Sequence, residues 1–333
     1  MCNIWKIPPS VPDLPLEEWT NLLSSDLLAD VRELDITGGE PFLRDDLVSL
    51  IQGICKLKKT RLKRLRSVAI TTNGVLTDRV LDMVAKMLEP MSAEGLELIV
   101  VCALDAANDK HNRIRRYEGA WSSVNQCIEG LIELRTRHPN LIIGLKTTVL
   151  PGNVGELDHI AEYARNRDLF TIISPAIVTS GRYLNAEGTA RLGLTPADRE
   201  RLARFYESAG LRWSYHAQRL VGYLRTGRMK KPCSCGFNYF FVRSTGEVHL
   251  CPLVGETVGN VSVTPIAALF RSPEARRIRR QIGKLQQCTR CTEPGLERYS
   301  LPFEGFAYLR TLLCLGPRSF IELHRHLGLD KYV

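Results

Sequence analysis

The stretch Glu33-Leu34-Asp35-Ile36-Thr37-Gly38-Gly39-Glu40-Pro41 sets the reading of this chain. Glu33 to Thr37 has the length of a short strand, and the paired glycines after it break any continuing pattern. Glycines at a strand end let the backbone approach a ligand closely. A carboxylate at the same turn can hold an ammonium group. A helix follows from about Asp45 to Leu57, with Asp45 or Asp46 suited to satisfying its free N–H groups.

The same unit repeats downstream. Strand Ser67 to Thr71 ends in Thr72-Asn73-Gly74 and leads into a helix from Thr77 to Leu88. Strand Leu96 to Leu104 precedes a helix from about Ala120 to Arg137. Strand Leu141 to Val149, helix Gly155 to Asn166 and strand Phe170 to Ile177 complete the series, and a helical segment, Leu16 to Leu28, precedes it. Strands alternating with helices of this length indicate βαβ units and a parallel sheet. Right-handed crossovers curl such a sheet towards a barrel or a wide arc. Five strands are visible, and the abrupt opening leaves a place for an earlier one. Active sites collect at the C-terminal ends of such strands.

From Thr179 the pattern changes. Residues 181–230 read as a linker with helices, including Pro196 to Ala209, and residues 231–300 as a smaller domain rich in Cys, Gly, Pro and aromatic residues. Residues 301–333 read as a partly helical tail. Within the small domain, Phe237 to Arg243 and Val248 to Leu250 flank Ser244-Thr245-Gly246-Glu247, the pattern of a hairpin. That hairpin folds Cys251 back beside Cys233 or Cys235, and Cys288-Thr289-Arg290-Cys291 supplies a second knuckle. Two knuckles of soft thiolates suit Zn²⁺ or an iron–sulfur cluster, and spacing alone does not separate these. Five cysteines compete for four places, with Cys235 the one to leave out. Cys314, in an apolar stretch, reads as core.

Composition bounds the rest. The chain has 333 residues, 44% hydrophobic and 24% charged, as in soluble globular proteins. No run approaches the roughly 20 apolar residues of a membrane helix. Met1 opens directly onto Cys2-Asn3-Ile4-Trp5 with no basic-then-apolar leader, so a cytoplasmic location and no membrane partner are expected. Ten cysteines in a reducing compartment point to metal ligation or catalysis rather than disulfides. The formal charge of +9 admits a polyanionic partner, but much of it lies in two runs, Lys56 to Arg66 and Arg276 to Arg280, that read as solvated helix ends. A nucleic-acid partner is therefore not expected.

Taken together, these motifs resemble the radical S-adenosylmethionine (radical SAM) superfamily. Cys2 followed by Asn-Ile-Trp resembles the third cysteine of its CxxxCxxC signature, whose thiolates hold a 4Fe–4S cluster. Gly38, Gly39, Glu40 and Pro41 match the loop that receives the methionine amino group. Thr71-Thr72-Asn73-Gly74 matches the next strand end. Asp105 and Arg115 sit in a stretch similar to the family's Ser-Leu-Asp-Gly…His-Asp-x-x-Arg-Gly, although Ala103 and Arg116 replace its serine and final glycine. The resemblance gives Arg115 the methionine carboxylate, and Asp105, next to the barrel centre, reads equally as a contact to substrate or ribose or as a strand-end cap. It places Val149 and Asn153 where such barrels contact adenine and ribose.

The C-terminal cysteines resemble the SPASM/twitch extension of the same superfamily. Cys233, twelve residues, Gly246, four residues and Cys251 match its opening, and Gly259-Asn260-Val261 with Cys288-x-x-Cys291 match its later part. Glu297 stands where a two-cluster version continues with cysteine, so one auxiliary 4Fe–4S cluster is expected.

The fold implied is α/β: residues 1–180 as a partial (βα)6-type radical SAM barrel, then a small Cys-rich auxiliary-cluster domain. The function implied is that of an oxidoreductase. It makes a 5′-deoxyadenosyl radical from SAM and takes a hydrogen atom from a peptide or small-molecule substrate, with an electron donor such as flavodoxin or ferredoxin. Two of the three radical-cluster cysteines are not in this sequence, and an upstream start is the expectation. One alternative is a non-catalytic iron–sulfur or zinc protein on a degenerate fold. Another is a purine-nucleotide cyclase like the molybdopterin-biosynthesis radical enzyme.

Overall fold

The computed structural model describes residues 2–8, 10–179, 182–187, 191–208, 214–230 and 233–293, with a few helical residues between 306 and 318. The remainder of the tail, position 297 and parts of the segment read as a linker lie outside the described residues.

Five strands form one parallel sheet in the order β1-β2-β3-β4-β5: β1 Glu33–Ile36, β2 Ser67–Thr72, β3 Glu97–Ala103, β4 Leu141–Val149 and β5 Phe170–Pro175. Sequence order equals spatial order, so every crossover is a single βα step and the sheet winds in one direction. The helices between the strands are α2 Leu47–Thr60, α3 Thr77–Ala93, α4 Lys110–Arg115, α5 Ala120–Arg137 and α6 Leu157–Arg165; α1 Leu16–Leu23 precedes β1. The expected helix to Leu28 stops at Leu23 because Ser25 caps a separate 3₁₀ turn, Asp26–Leu28. β3 reads almost continuously apolar because its side chains are buried on both faces, under helices on one and in a thin layer with neighbouring strands on the other.

The two faces differ. On one, Val68, Ile70, Leu98, Val100, Ile143 and Leu145 pack against apolar residues of α2, α3 and α5 in the main core. Each Leu or Ile side chain fully removed from water there contributes about 1.5–3 kcal/mol before entropy is counted. The other face carries a thinner layer, Ala69, Ile99 and Val101 with Ile142 and Phe170. Its shallow side chains leave the concave side of the sheet open as a lumen. The basic run from Lys56 to Arg66 lies at the opposite, N-terminal ends of the strands, where Lys59, Arg61 and Arg64 pair with Glu94, Asp26 and Asp30.

Two further helices, α7 Pro196–Glu207 and α8 Tyr215–Thr226, cover β5 through a second core with Val149, Ile173, Leu202 and Leu220. The small domain begins with the expected hairpin, β6 Phe241–Val242 and β7 Glu247–His249, to which β8 Gly259–Asn260 adds a third antiparallel strand. Helices α9 Ile266–Arg271 and α10 Pro273–Gln281 pack on it. The run at Arg276 is more than a solvated end, since Arg279 donates to the carbonyls of Gly236 and Phe270 and ties α10 to the hairpin. Leu22 of α1 belongs to the core of the small domain, and Trp19 packs against both cores. The two domains therefore share a helix. No helix among the described residues is long and apolar enough to cross a membrane.

Candidate functional site: a lumen between two cysteine-bearing ends

The loop after β1 is braced to the loop after β2. Gly38 has φ +149°, a conformation open to glycine. Glu40 then caps the 3₁₀ turn Pro41–Leu43. Its Oε1 accepts the Phe42 N–H (3.3 Å) and the Thr72 hydroxyl (2.9 Å), and its Oε2 accepts the Asn73 N–H (2.7 Å). A carboxylate has about four acceptor positions, so three are taken and one on Oε2 is left for a further donor. Burial raises the Glu40 pKa, while these hydrogen bonds and the nearby Arg115 pull it down. The net is upward, and an ammonium on the remaining position would favour the ionised form. Asn73 itself accepts the Val75 N–H, which turns the chain into Gly74. Gly74 is at φ +73°, and a Cβ there would stand 2.7 Å from Val124.

The end of β3 forms the second wall. Arg115 Nη2 lies 2.8 Å from Asp105 Oδ2, with Asp105 wholly buried. Asp105 Oδ1 accepts the Thr148 N–H at 2.9 Å, and its backbone N–H donates to His111 Nδ1 at 3.1 Å. Burial raises the Asp105 pKa against the pull of Arg115. Burial and the same guanidinium push His111 down to about 4, so its ring is neutral at physiological pH. The Asp105 carboxylate is thus occupied as a strand-end cap would be, between the Thr148 N–H and Arg115.

Val149 and Asn153, which the resemblance places beside adenine and ribose, stand at the end of β4. Val149 is fully buried in the second core. The Asn153 amide donates to the carbonyls of Asp105 and Thr148 and its oxygen accepts the Leu150 N–H. Both side chains shape the end of β4.

Cys2 is exposed and lies by the same strand ends. Asn3 donates from its backbone to Tyr183 O (2.8 Å) and from its amide to Leu184 O (2.9 Å), and Ile4 approaches within 3.9 Å of the Cβ position at Gly39. The segment bearing Cys2 thus bridges the loop of Gly38 and Gly39 and the chain beyond β5. Cys55, Cys102 and Cys127 lie in the core, the last two against each other, and none stands beside Cys2. Cys314, expected in the core, is exposed instead.

The auxiliary set converges. Cys235, Cys251 and Val254 form a small apolar cluster with Cys233 and Cys291 against it. The adjacent Cys235 sulfur, and backbone N–H groups of Leu253 and Val254 that donate to the Cys251 sulfur, lower its pKa. N–H groups of Gly283 and Leu285 do the same for Cys288, although burial leaves its pKa raised. Sulfurs surrounded by N–H donors are stabilised as thiolates, the state a metal requires. Cys235 donates its proton to Leu250 O at 2.8 Å, and the sulfurs of Cys233 and Cys251 beside it, with burial, push its thiol strongly up. Among the described residues no three His, Cys, Asp or Glu side chains meet closely enough for a single ion. His249 is occupied by Glu256 O and Arg243 Nε and packs rather than ligates.

A cavity of about 1890 Å³ lies over the concave face, and Gly38, Gly39, Glu40, Arg182, Tyr239 and Glu293 are among the residues that line it. Lys146 of β4 also faces it, between Ala103 and Ile172 in the register. The sequence reading missed Lys146, Asp35, Arg182, Tyr239 and Glu293. The strand period of two already puts Asp35 and Lys146 on the lumen face once the register is known.

Comparison with known proteins agrees with this arrangement. Residues 1–166 match the radical SAM superfamily and residues 233–292 match SPASM, an iron-sulfur cluster-binding domain. The chain belongs to the radical SAM superfamily. Among curated relatives, the GTP 3′,8-cyclase of Chlorobaculum tepidum is 29% identical over 208 residues, 60% of this chain and 55% of that protein. The AdoMet-dependent heme synthase of Methanosarcina barkeri is 24% identical over 289 residues, 78% and 74% of the two chains. Molybdenum cofactor biosynthesis protein 1 of Dictyostelium discoideum is 32% identical over 143 residues, 42% of this chain and 20% of that one. The first curated relatives are matched over a fifth to about half of their length. Among solved structures, native anSMEcpe with bound AdoMet and Kp18Cys peptide superposes with a TM-score of 0.56 at 17% identity, over 87% of this chain and 82% of that one. That likeness establishes the fold, a partial radical SAM barrel.

Proposed function

We propose that this chain is a radical SAM enzyme that takes a hydrogen atom from a peptide or small metabolite, with one auxiliary 4Fe–4S cluster on Cys233, Cys251, Cys288 and Cys291. The observation that carries the reading is a cavity lined by residues of both domains, the Gly38–Glu40 loop and auxiliary-domain residues Tyr239 and Glu293. At about 1890 Å³ it exceeds the ~300–1,000 Å³ of a site for one small ligand, leaving room for a cofactor and a substrate together.

The N–H donors around Cys251 and Cys288 and the free acceptor position on Glu40 fit such groups. When bound, the iron–sulfur cluster and SAM supply one-electron cleavage to a 5′-deoxyadenosyl radical. The chain's own residues bind and orient. Glu40 offers its remaining position to an ammonium, and Arg115, held by Asp105, offers its guanidinium to a carboxylate. The apolar floor of Ala69, Ile99 and Val101 excludes water from the lumen. A radical cluster here needs two thiolates besides Cys2, and flavodoxin or ferredoxin is the proposed electron donor.

A second reading, a purine-nucleotide cyclase, is favoured by the cyclase relatives of the barrel segment. The SPASM match and the longer match to the heme synthase favour the first. Anaerobic assays of SAM cleavage, using a form extended upstream of Met1, test both. Formation of 5′-deoxyadenosine stimulated by peptides or by a metabolite pool, but not by GTP, supports the first. Stimulation by GTP alone supports the second. No cleavage in any form leaves a non-catalytic metal protein.

A further inference from the structure

Beyond β5 the chain passes through residues 182–184, which touch both cysteine-bearing ends. On one side, the backbone carbonyls of Tyr183 and Leu184 receive the two Asn3 donors, at 2.8 and 2.9 Å, one residue from Cys2. On the other, Arg182 Nη1 lies 3.4 Å from Glu293 Oε2, two residues from Cys291, with the side chains only 11% and 8% exposed. The guanidinium also lies 5.8 Å from the ring of Phe241 in β6 and 5.2 Å from that of Tyr183. Thr292 adds a hydroxyl bond to Pro175 O at the end of β5. Tyr239, which packs against the cysteine cluster, and Asp35 on β1 complete the electrostatic surroundings of Arg182.

We propose that Arg182 is a positioning residue that fixes the Cys291 arm against the Cys2 segment, so that these two cysteine-bearing segments keep one spacing. The inference rests on the proposed function only in taking those ends as cluster sites. A buried guanidinium is expensive to desolvate, and well-packed apolar residues seal an interface at least as well. What the charge adds is direction: only one register of the arm brings a carboxylate to Arg182 and a ring beneath it. Electron transfer and hydrogen abstraction both depend on spacing, so an element that sets it acts on the reaction without touching the substrate. A planar fork suits this task better than a lysine ammonium, which lacks the stacking face.

Amide hydrogen exchange on the full chain tests this. In Arg182→Met, exchange of residues 2–8 and of 239–242 should rise together by about tenfold, while β3 stays unchanged. Glu293→Gln should raise the 239–242 signal, and Arg182→Lys should restore part of both. After iron loading, a nitroxide on exposed Cys2, in a Cys314→Ser background, should give a narrow distance to the reduced auxiliary cluster. That distance should broaden in Arg182→Met. Unchanged exchange at both segments in Arg182→Met overturns the proposal, whether or not iron is bound. Exchange that rises in a protein holding no iron upholds it and overturns the functional reading instead.

Discussion

Replacing Arg115 by Met strands a carboxylate. Asp105 is wholly buried, its Oδ2 faces Arg115 at 2.8 Å, and the Thr148 N–H on Oδ1 is its other support. Removing one partner of a buried ion pair costs about 3–5 kcal/mol, because the remaining charge is uncompensated. Arg115 is itself 23% exposed, so the lower half of that range is the expectation. At about 2–4 °C per kcal/mol for a unit of this size, the melting temperature at pH 7.5 should fall by roughly 6–16 °C.

The pH dependence carries a sign. The Asp105 pKa is already raised by burial and rises further without Arg115. A raised carboxyl binds more protons folded than unfolded, so its unfavourable contribution is fully present above the folded pKa. It fades as pH falls towards the ordinary carboxylate range. The deficit of Arg115→Met should therefore shrink at pH 5, and Asp105→Asn in the same chain should recover most of it at pH 7.5. Thermal scans of the wild type, both single variants and the double variant at both pH values give the cycle. A melting temperature for Arg115→Met within 2 °C of wild type, or a deficit that grows on acidification, refutes the reasoning.

Neighbouring geometry sets further outcomes. Glu40→Gln presents an NH₂ where the Asn73 N–H needs an acceptor, so stability should drop by about 1–3 kcal/mol in denaturant titrations and SAM affinity should fall with it. Gly74→Ala must accommodate both φ +73° and a 2.7 Å approach to Val124, and a chemical melt should show a loss of at least about 1 kcal/mol. Cys251→Ser should lose auxiliary iron, whereas Cys235→Ser, which keeps a donor to Leu250 O, should retain it in metal analysis of the reconstituted protein.

How far the sequence carried the reading depended on range. β4 and α5 coincide with their expected bounds because their apolar spacing is strong and their ends are marked by Pro151-Gly152 and Gly119. α8 is harder to see, since Gly222 interrupts it and its Leu and Val count only once α7 is packed against them. The Gly38–Pro41 loop and the cysteine knuckles were legible as local motifs. The burial of Asp105 and Asn153 was not, because it is set by backbone groups 43 to 48 residues away. The Arg182–Glu293 pair spans 111 residues, and no local pattern announces a partner at that separation.

The account turns on what the two cysteine-bearing ends hold. Iron and sulfide per chain, after anaerobic reconstitution of these 333 residues beside a form extended upstream of Met1, measure it most directly. About four irons in the shorter form and about eight in the longer one are predicted, as one and two clusters of the 4Fe–4S type. Zinc in place of iron, or four irons in both forms with no SAM cleavage, would contradict the account.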